Sequence, residues 1–309
     1  MKVKHVLSIQ DLSGAEIEKI LDISDKLKKE VKAGKPHELL HGKTLGMIFA
    51  KPSTRTRVSF EAGMTQLGGH ALYLGINDLQ LGRGETIGDT SRTLSRYVDA
   101  VMARLFAHKD IEELAKHSSV PVINGLTDKH HPCQTLADLM TIREKIGRLK
   151  GVNVAWVGDG NNVCNSLMLG CSLVGANFRA ACPKGYEPSK DVVAQAVENS
   201  KKSSSKIEIL NEPEKAVRGA DVIYTDVWIS MGQEKETEQK MKVFGPYQVN
   251  AKLVKLAKPK AIVMHCLPAH RGLEITDEVI DGPHSVVWDQ AENRMHAQNG
   301  LLVHLLSKK

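Results

Sequence analysis

Two doubly wound α/β domains, each with a central parallel sheet covered by helices, are the fold this chain predicts, and three observations carry that expectation. Its 309 residues are enough for two cores of ordinary size. Short apolar β-like runs alternate with helical stretches along the whole length, the pattern of parallel sheets covered on both faces. A seam of two glycines and three cations, Lys145, Gly147, Arg148, Lys150 and Gly151, interrupts that alternation before a fresh strand. It places the boundary so that 1–147 forms one domain and 148–309 the other.

The elements follow in order. Ser13 and Glu16 form a capping box that opens a helix to about Val31. Strands are predicted over 44–50, 71–74, 100–105 and 120–126 in the first half, and over 152–158, 177–182, 207–210, 221–225 and 261–265 in the second. Stretches 112–116 and 191–198 read as helix. The segment 228–247 is polar, long and weakly periodic, and a mobile loop is expected there.

Composition excludes several roles. Hydrophobic residues make up 41% and charged residues 25%, and no apolar run approaches the roughly 20 residues of a membrane span. The amino terminus reaches Asp11 too early to hold a secretory apolar core, so a cytoplasmic address is expected, or that of a chain whose organellar leader has been removed. Five scattered cysteines suggest reduced thiols. A formal charge of +6 attracts small anions, and with only 4% aromatics there is no basic, ring-interleaved stripe for nucleic acid.

The most informative stretch is Lys51-Pro52-Ser53-Thr54-Arg55-Thr56-Arg57, which follows a buried strand and opens a helix. Helix N-termini present unpaired N–H groups and a positive dipole end, so an anion is favoured there. An N-cap serine on a solvated face is the bland reading, but two arginines in a first turn oppose the dipole unless an anion offsets them. In parallel sheets ligands bind beyond the carboxyl ends of the strands. Read that way, Arg104, His131, Gln134, Asn161, Asn162, Asp226 and Cys266 converge with the cradle. Gly158-Asp159-Gly160 invites a dinucleotide, yet the third glycine position is Val163 and the fingerprint is incomplete. His130, His131, Cys133, His265 and Cys266 could ligate zinc, in a spacing that fits no common structural motif. A Cys266 nucleophile activated by His131 ranks below a substrate-positioning role, since neither motif supplies an orienting acid.

Ser53-Thr54-Arg55-Thr56-Arg57, His131-Pro132-Cys133-Gln134 and His265-Cys266-Leu267-Pro268 together resemble the aspartate/ornithine carbamoyltransferase family, in its order and spacing, from about Leu7 to the C-terminal helix. The last motif and Asp226-Val227-Trp228-Ile229-Ser230-Met231-Gly232 resemble its ornithine-using branch. The resemblance implies a first domain that binds carbamoyl phosphate, a second that binds the amino acid, and a final helix that returns to the first. Ser53, Thr54, Arg55 and Thr56 would hold the phosphate, while Arg104, His131 and Thr56 would donate to the carbamoyl oxygen. Gln134 and the backbone carbonyls near Cys266 and Leu267 would orient the carbamoyl amide, and Arg294 would complete the anion pocket. Asn162, Asp226, Ser230 and Met231 would hold ornithine, with Cys266 accepting or relaying the δ-amine's proton. Neither metal nor cofactor is required. Gln80 matches the position that reaches a neighbouring subunit's site, which implies a homotrimer or a multiple of one. Another acceptor (aspartate, putrescine, N-acetylornithine), a nicotinamide-dependent oxidoreductase and a non-catalytic small-anion sensor are the competing readings.

Overall fold

A computed structural model describes residues 3–228 and 237–307. They divide into two units, one of residues 1–140 and 292–309, the other of residues 141–291. Through the first run α1 (Gly14–Lys32), β1 (Thr44–Phe49), α2 (Thr54–Gln66), β2 (His70–Gly75), α3 (Ile87–Leu94), β3 (Ala100–Arg104), α4 (His108–His117), β4 (Val122–Leu126) and the start of α5 (Pro132–Ile146). The second carries β5 (Asn153–Val157), α6 (Asn162–Val174), β6 (Asn177–Ala181), α7 (Lys190–Ser203), β7 (Ile207–Leu210), α8 (Pro213–Val217), β8 (Val222–Thr225), α9 (Thr237–Phe244), α10 (Ala251–Val254), β9 (Ile262–His265) and α11 (Asp277–Ile280). The final helix α12 (Val287–Leu306) belongs to the first unit from Glu292 onward.

Both sheets are wholly parallel, with strand orders β2-β1-β3-β4 and β7-β6-β5-β8-β9. All nine predicted strands are present, with ends that differ by no more than two residues, because each is an apolar run punctuated by turn residues. The capping box is also present: Ser13 Oγ accepts the Glu16 N–H and Glu16 reaches back to the Ser13 N–H. In the first unit Ile48, Val101, Ala103 and Val122 pack against Ile111 and Leu114 of α4. The second core gathers Ala155, Val157, Ile223 and Val263 with Val217, Leu253 and Val279 from the short helices.

The order reverses between β1 and β3 in one sheet and between β5 and β8 in the other. Those are the switch points where parallel sheets open a crevice at their carboxyl ends. Register brings Phe49, Arg104 and Leu126 level at one such edge, and Thr225 and His265 level at the other. One expectation fails. Of the segment 228–247, residues 229–236 lie outside the described residues, but α9 and a 3₁₀ turn at Gly245–Tyr247 occupy what was expected to be loop. Lys240, Phe244 and Tyr247 recur at helical spacing and are buried, a short inward-facing stripe whose leading lysine conceals it in the sequence.

Candidate active site

The first unit builds a cationic pocket at its switch point. Ser53 is the N-cap of α2: its Oγ accepts the Thr56 N–H at 3.2 Å and donates to Thr56 Oγ1 at 3.1 Å. Thr56 is buried, and Arg55 makes no ion pair or side-chain hydrogen bond among the described residues. Arg57 differs from expectation. Its guanidinium lies 3.9 Å from the centroid of the Tyr73 ring on the neighbouring strand and donates to Glu61 at 3.0 Å, so only one of the two arginines is left for an anion. Glu61, one turn on, supplies the counter-charge that the dipole argument assigned to a ligand.

Behind the cradle, Arg104 is 6% exposed at the end of β3 and His131 is 4% exposed at the start of α5. Arg294 of α12 organises this wall, donating to His131 Nε2 at 3.2 Å and to Gln134 Oε1. A guanidinium can only donate, so His131 Nε2 is the acceptor and the proton of the neutral ring is on Nδ1. Burial first, then Arg294, Arg104 and Lys51, holds the His131 pKa well below 6.5, so this imidazole is neutral and can donate through Nδ1. Gln134 is locked at both ends, its Nε2 donating to Asp138 at 2.7 Å. Gln298 ties the wall to α2, accepting from Arg294 and donating to Ser59 at 2.8 Å. Lys51, which the motif reading left without a role, has its pKa lowered by burial and then by Arg104. Cys133 is inert: burial pushes its thiol up to about 11 and it donates to the Asn124 carbonyl. Gln80 is exposed on the 3₁₀ turn Gln80–Arg83.

The second unit builds the opposite charge. Asp226, just past β8, is 6% exposed; Oδ2 accepts from Asn161 Nδ2 at 2.8 Å and Oδ1 from the Cys266 thiol at 3.0 Å. Cys266 and Leu267 follow β9, and Leu267 has φ 58°, costly for a branched residue. A buried lock offsets that cost. His265 Nδ1 accepts the Leu267 N–H at 2.8 Å, while its Nε2 meets the buried Glu274 at 3.1 Å. Asp226, His265 and Cys266 bring three donor atoms within 4.8 Å of one another, but both His265 nitrogens are already engaged, which leaves two donors for any cation.

Asn162 opens α6 beside Asn161, and Ser230 and Met231 lie outside the described residues. Two further charges went unnoticed in the sequence. Asp159 is pushed up to about 6 by burial, with Lys240 opposing and Asp226 adding to the shift. Lys240 is itself buried, its ammonium 3.4 Å from the Trp228 carbonyl and 5.8 Å from the centroid of the Tyr186 ring. A carboxylate on a Gly-Asp-Gly turn gives no periodic signal, which is why the dinucleotide test exhausted that stretch.

Two doubly wound units, one with a cationic donor pocket and one with a buried carboxylate beside a thiol, are the build of an α/β enzyme for two small charged substrates. Comparison with known proteins makes the class particular. Residues 4–144 match the family model described as the aspartate/ornithine carbamoyltransferase carbamoyl-P binding domain, and residues 150–305 match the corresponding Asp/Orn binding domain. The chain is 61% identical over 306 residues to the ornithine carbamoyltransferase of Pyrococcus horikoshii, covering 99% of this chain and 96% of that one. It is 61% identical over 299 residues to the anabolic ornithine carbamoyltransferase of Pyrococcus furiosus, covering 97% and 95%. Among solved structures, the Pyrococcus furiosus enzyme superposes with a TM-score of 0.97 at 59% identity, covering 99% and 98%. That of Gloeobacter violaceus gives 0.88 at 46%, covering 98% of each chain. This chain belongs to the aspartate/ornithine carbamoyltransferase family.

Proposed function

We propose that this protein transfers the carbamoyl group of carbamoyl phosphate to the δ-amine of L-ornithine, giving L-citrulline and phosphate. The observation that carries the reading is Asp226, a buried carboxylate in the amino-acid unit. It attracts an amino acid's ammonium and would repel the second carboxylate of aspartate. The relatives named above, one of them anabolic, support ornithine and the biosynthetic direction.

In this mechanism residues 1–147 bind carbamoyl phosphate and residues 148–309 bind ornithine, with the final helix serving the first domain. Ser53, Thr54, Arg55 and Thr56 take the phosphate at the helix start. Arg104, Thr56 and the His131 Nδ1–H donate to the carbamoyl oxygen, on which charge grows during attack; preorganised donors of this kind are worth about 3 kcal/mol each. Arg294 completes the pocket and holds Gln134 for the carbamoyl amide, which the Cys266 and Leu267 carbonyls also orient. Asp226 takes the α-ammonium, and Asn162, Ser230 and Met231 take the rest of the amino-acid head and stem.

The δ-nitrogen attacks the carbonyl carbon, the bond to the phosphate oxygen breaks, and the amine gives up a proton. An amine of ordinary pKa about 10.4 is mostly protonated at pH 8, and reaching the neutral form there costs about 3 kcal/mol. Because the Cys266 thiol donates to Asp226, a proton arriving at sulfur has a carboxylate to pass to.

A homotrimer with Gln80 reaching a neighbouring site fits the exposed apolar side chains Val58, Leu72 and Tyr73 on α2 and the edge strand β2. No described helix is long and apolar enough to cross a membrane, and a cytoplasmic location fits the reaction. The test is product formation from carbamoyl phosphate with ornithine, aspartate, putrescine and N-acetylornithine offered in parallel at pH 8. Citrulline from ornithine alone is expected; product from another acceptor only would overturn the role of Asp226, and no product from any would overturn the reaction.

A further inference from the structure

We infer that Asn161 is a positioning residue for the acceptor, its one amide bridging the amino end of α6 and the Asp226 carboxylate so that the carboxylate is aimed at the incoming ammonium. The inference rests on the ornithine reading above. Asn161 Oδ1 accepts the Val163 N–H at 2.9 Å and the Cys164 N–H at 3.1 Å. Two backbone donors at one end fix which way the amide faces, so the atom turned to Asp226 is Nδ2, a donor, at 2.8 Å from Oδ2.

The residue that holds the amide is itself fixed. The Gly160 N–H donates to the Tyr186 carbonyl at 2.8 Å, and a side chain at Gly160 would run into the backbone of Glu187 and Pro188. A carboxylate gripped on one oxygen can rotate about its Cβ–Cγ bond. Gripped on both, by Asn161 and by the Cys266 thiol, it presents its remaining lone pairs in one direction.

A helix cap alone is the simpler reading of Asn161. It explains Oδ1 and leaves Nδ2 unexplained, since serine, threonine or aspartate caps a helix as well. A serine or threonine hydroxyl also accepts and donates, but from one oxygen that the helix N–H groups hold; asparagine puts the two functions on separate atoms, so Nδ2 reaches Asp226 while Oδ1 stays at the helix. Among the described residues, the other titratable groups near this carboxylate are Cys266 and His265, with donor atoms within 4.8 Å, and Asp159 on the preceding turn, which also faces Lys240 of α9.

Asn161→Asp and Asn161→Ser separate the two roles, because both keep a cap and neither holds a donor where Nδ2 lies: aspartate has none, and the single serine oxygen is drawn to the helix on a shorter side chain. The measurements are thermal unfolding, KM for each substrate, and competitive inhibition by 2-aminopentanoic acid, which has the α-ammonium and carboxylate but no δ-amine. We expect unfolding to stay cooperative and the carbamoyl phosphate KM to remain within about twofold. The ornithine KM and the inhibition constant should rise about tenfold for Asn161→Ser and about a hundredfold for Asn161→Asp, since a hydrogen bond to a charged group is lost and, in the second, a like charge is added. Lowering the pH should return part of the Asn161→Asp loss and none of the Asn161→Ser loss, because the introduced carboxyl donates again once protonated.

A folded Asn161→Ser variant with an ornithine KM within twofold of the parent would overturn the inference. So would both KM values rising together with a fall in melting temperature, which is the signature of a cap and nothing more. If Asn161→Asp fails to fold, Asn161→Ser decides alone. A parent enzyme that makes no citrulline would sink the ornithine reading, whereas an active parent with indifferent variants sinks only this inference.

Discussion

The two switch points use the same topology for opposite charges. In the first unit, cations and hydroxyls surround a helix start, and one histidine among them is kept neutral by burial and then by its cationic neighbours. In the second, a buried carboxylate is gripped from both sides and accompanied by a second carboxyl and a buried lysine. The difference teaches how one fold is set for two substrates. A parallel sheet provides the crevice, and residues at or within a few positions of the strand ends give it a cationic lining in one unit and an anionic one in the other.

The largest break in that comparison should come from Arg104→Leu. If Arg104 donates to the carbamoyl oxygen as proposed, its loss should lower turnover by about a thousandfold, with cooperative unfolding retained in a thermal melt. Loss of cooperative unfolding would make Arg104 a structural arginine instead. Asp226→Asn should come next, raising the ornithine KM about a hundredfold while the carbamoyl phosphate KM moves no more than threefold. Steady-state kinetics with each substrate varied in turn checks this, and parallel rises would show that the charge division is wrong.

Asp159 sharpens the anionic side through stability. Its carboxyl titrates at about 6 in the folded chain against 3.8 ordinarily, so the folded state holds that proton more tightly. Stability is therefore lost as the pH rises from 3.8 to about 6, and the loss is complete above that. Asp159→Asn should recover up to about 3 kcal/mol at pH 8 and almost nothing at pH 4. Denaturant titrations at the two pH values read the difference, and an equal effect at both would remove the titration account. The smallest effect is expected of Arg57→Gln. Paired with Glu61 and stacked on Tyr73, Arg57 should alter the carbamoyl phosphate KM less than about threefold, as a half-exposed pair does. An effect as large as that of Arg55→Gln would return both arginines to the cradle.

The fold was legible because strands such as 152–158 and 177–182 are short, mostly apolar runs, and a run buried over most of its length needs no partner to be recognised. The proposed anion half-site could be read for a related reason: Ser53 through Arg55 lie in one continuous helix start. What the sequence concealed depends on neighbours distant along the chain. Arg57 is taken out of the cradle by Tyr73 on the adjacent strand, a contact that only the β1–β2 register creates. Arg294 reaches His131 across 163 positions, and no local periodicity announces it; family resemblance was its only signal. Asn161 lost out to Asn162 because the amide bridge becomes visible only when Asp226 is placed 2.8 Å away. The aromatic surroundings of Lys240, built from Tyr186, Trp228 and Phe244, likewise assemble from separate stretches.

The most direct test of the charge division is a calorimetric titration of inorganic phosphate into the parent protein, Arg55→Leu and Asp226→Asn at low salt. Phosphate should bind the parent and Asp226→Asn with affinities within about twofold of each other, and should not bind Arg55→Leu. Binding that survives Arg55→Leu, or is lost with Asp226→Asn, would contradict the assignment of the anion to the first unit.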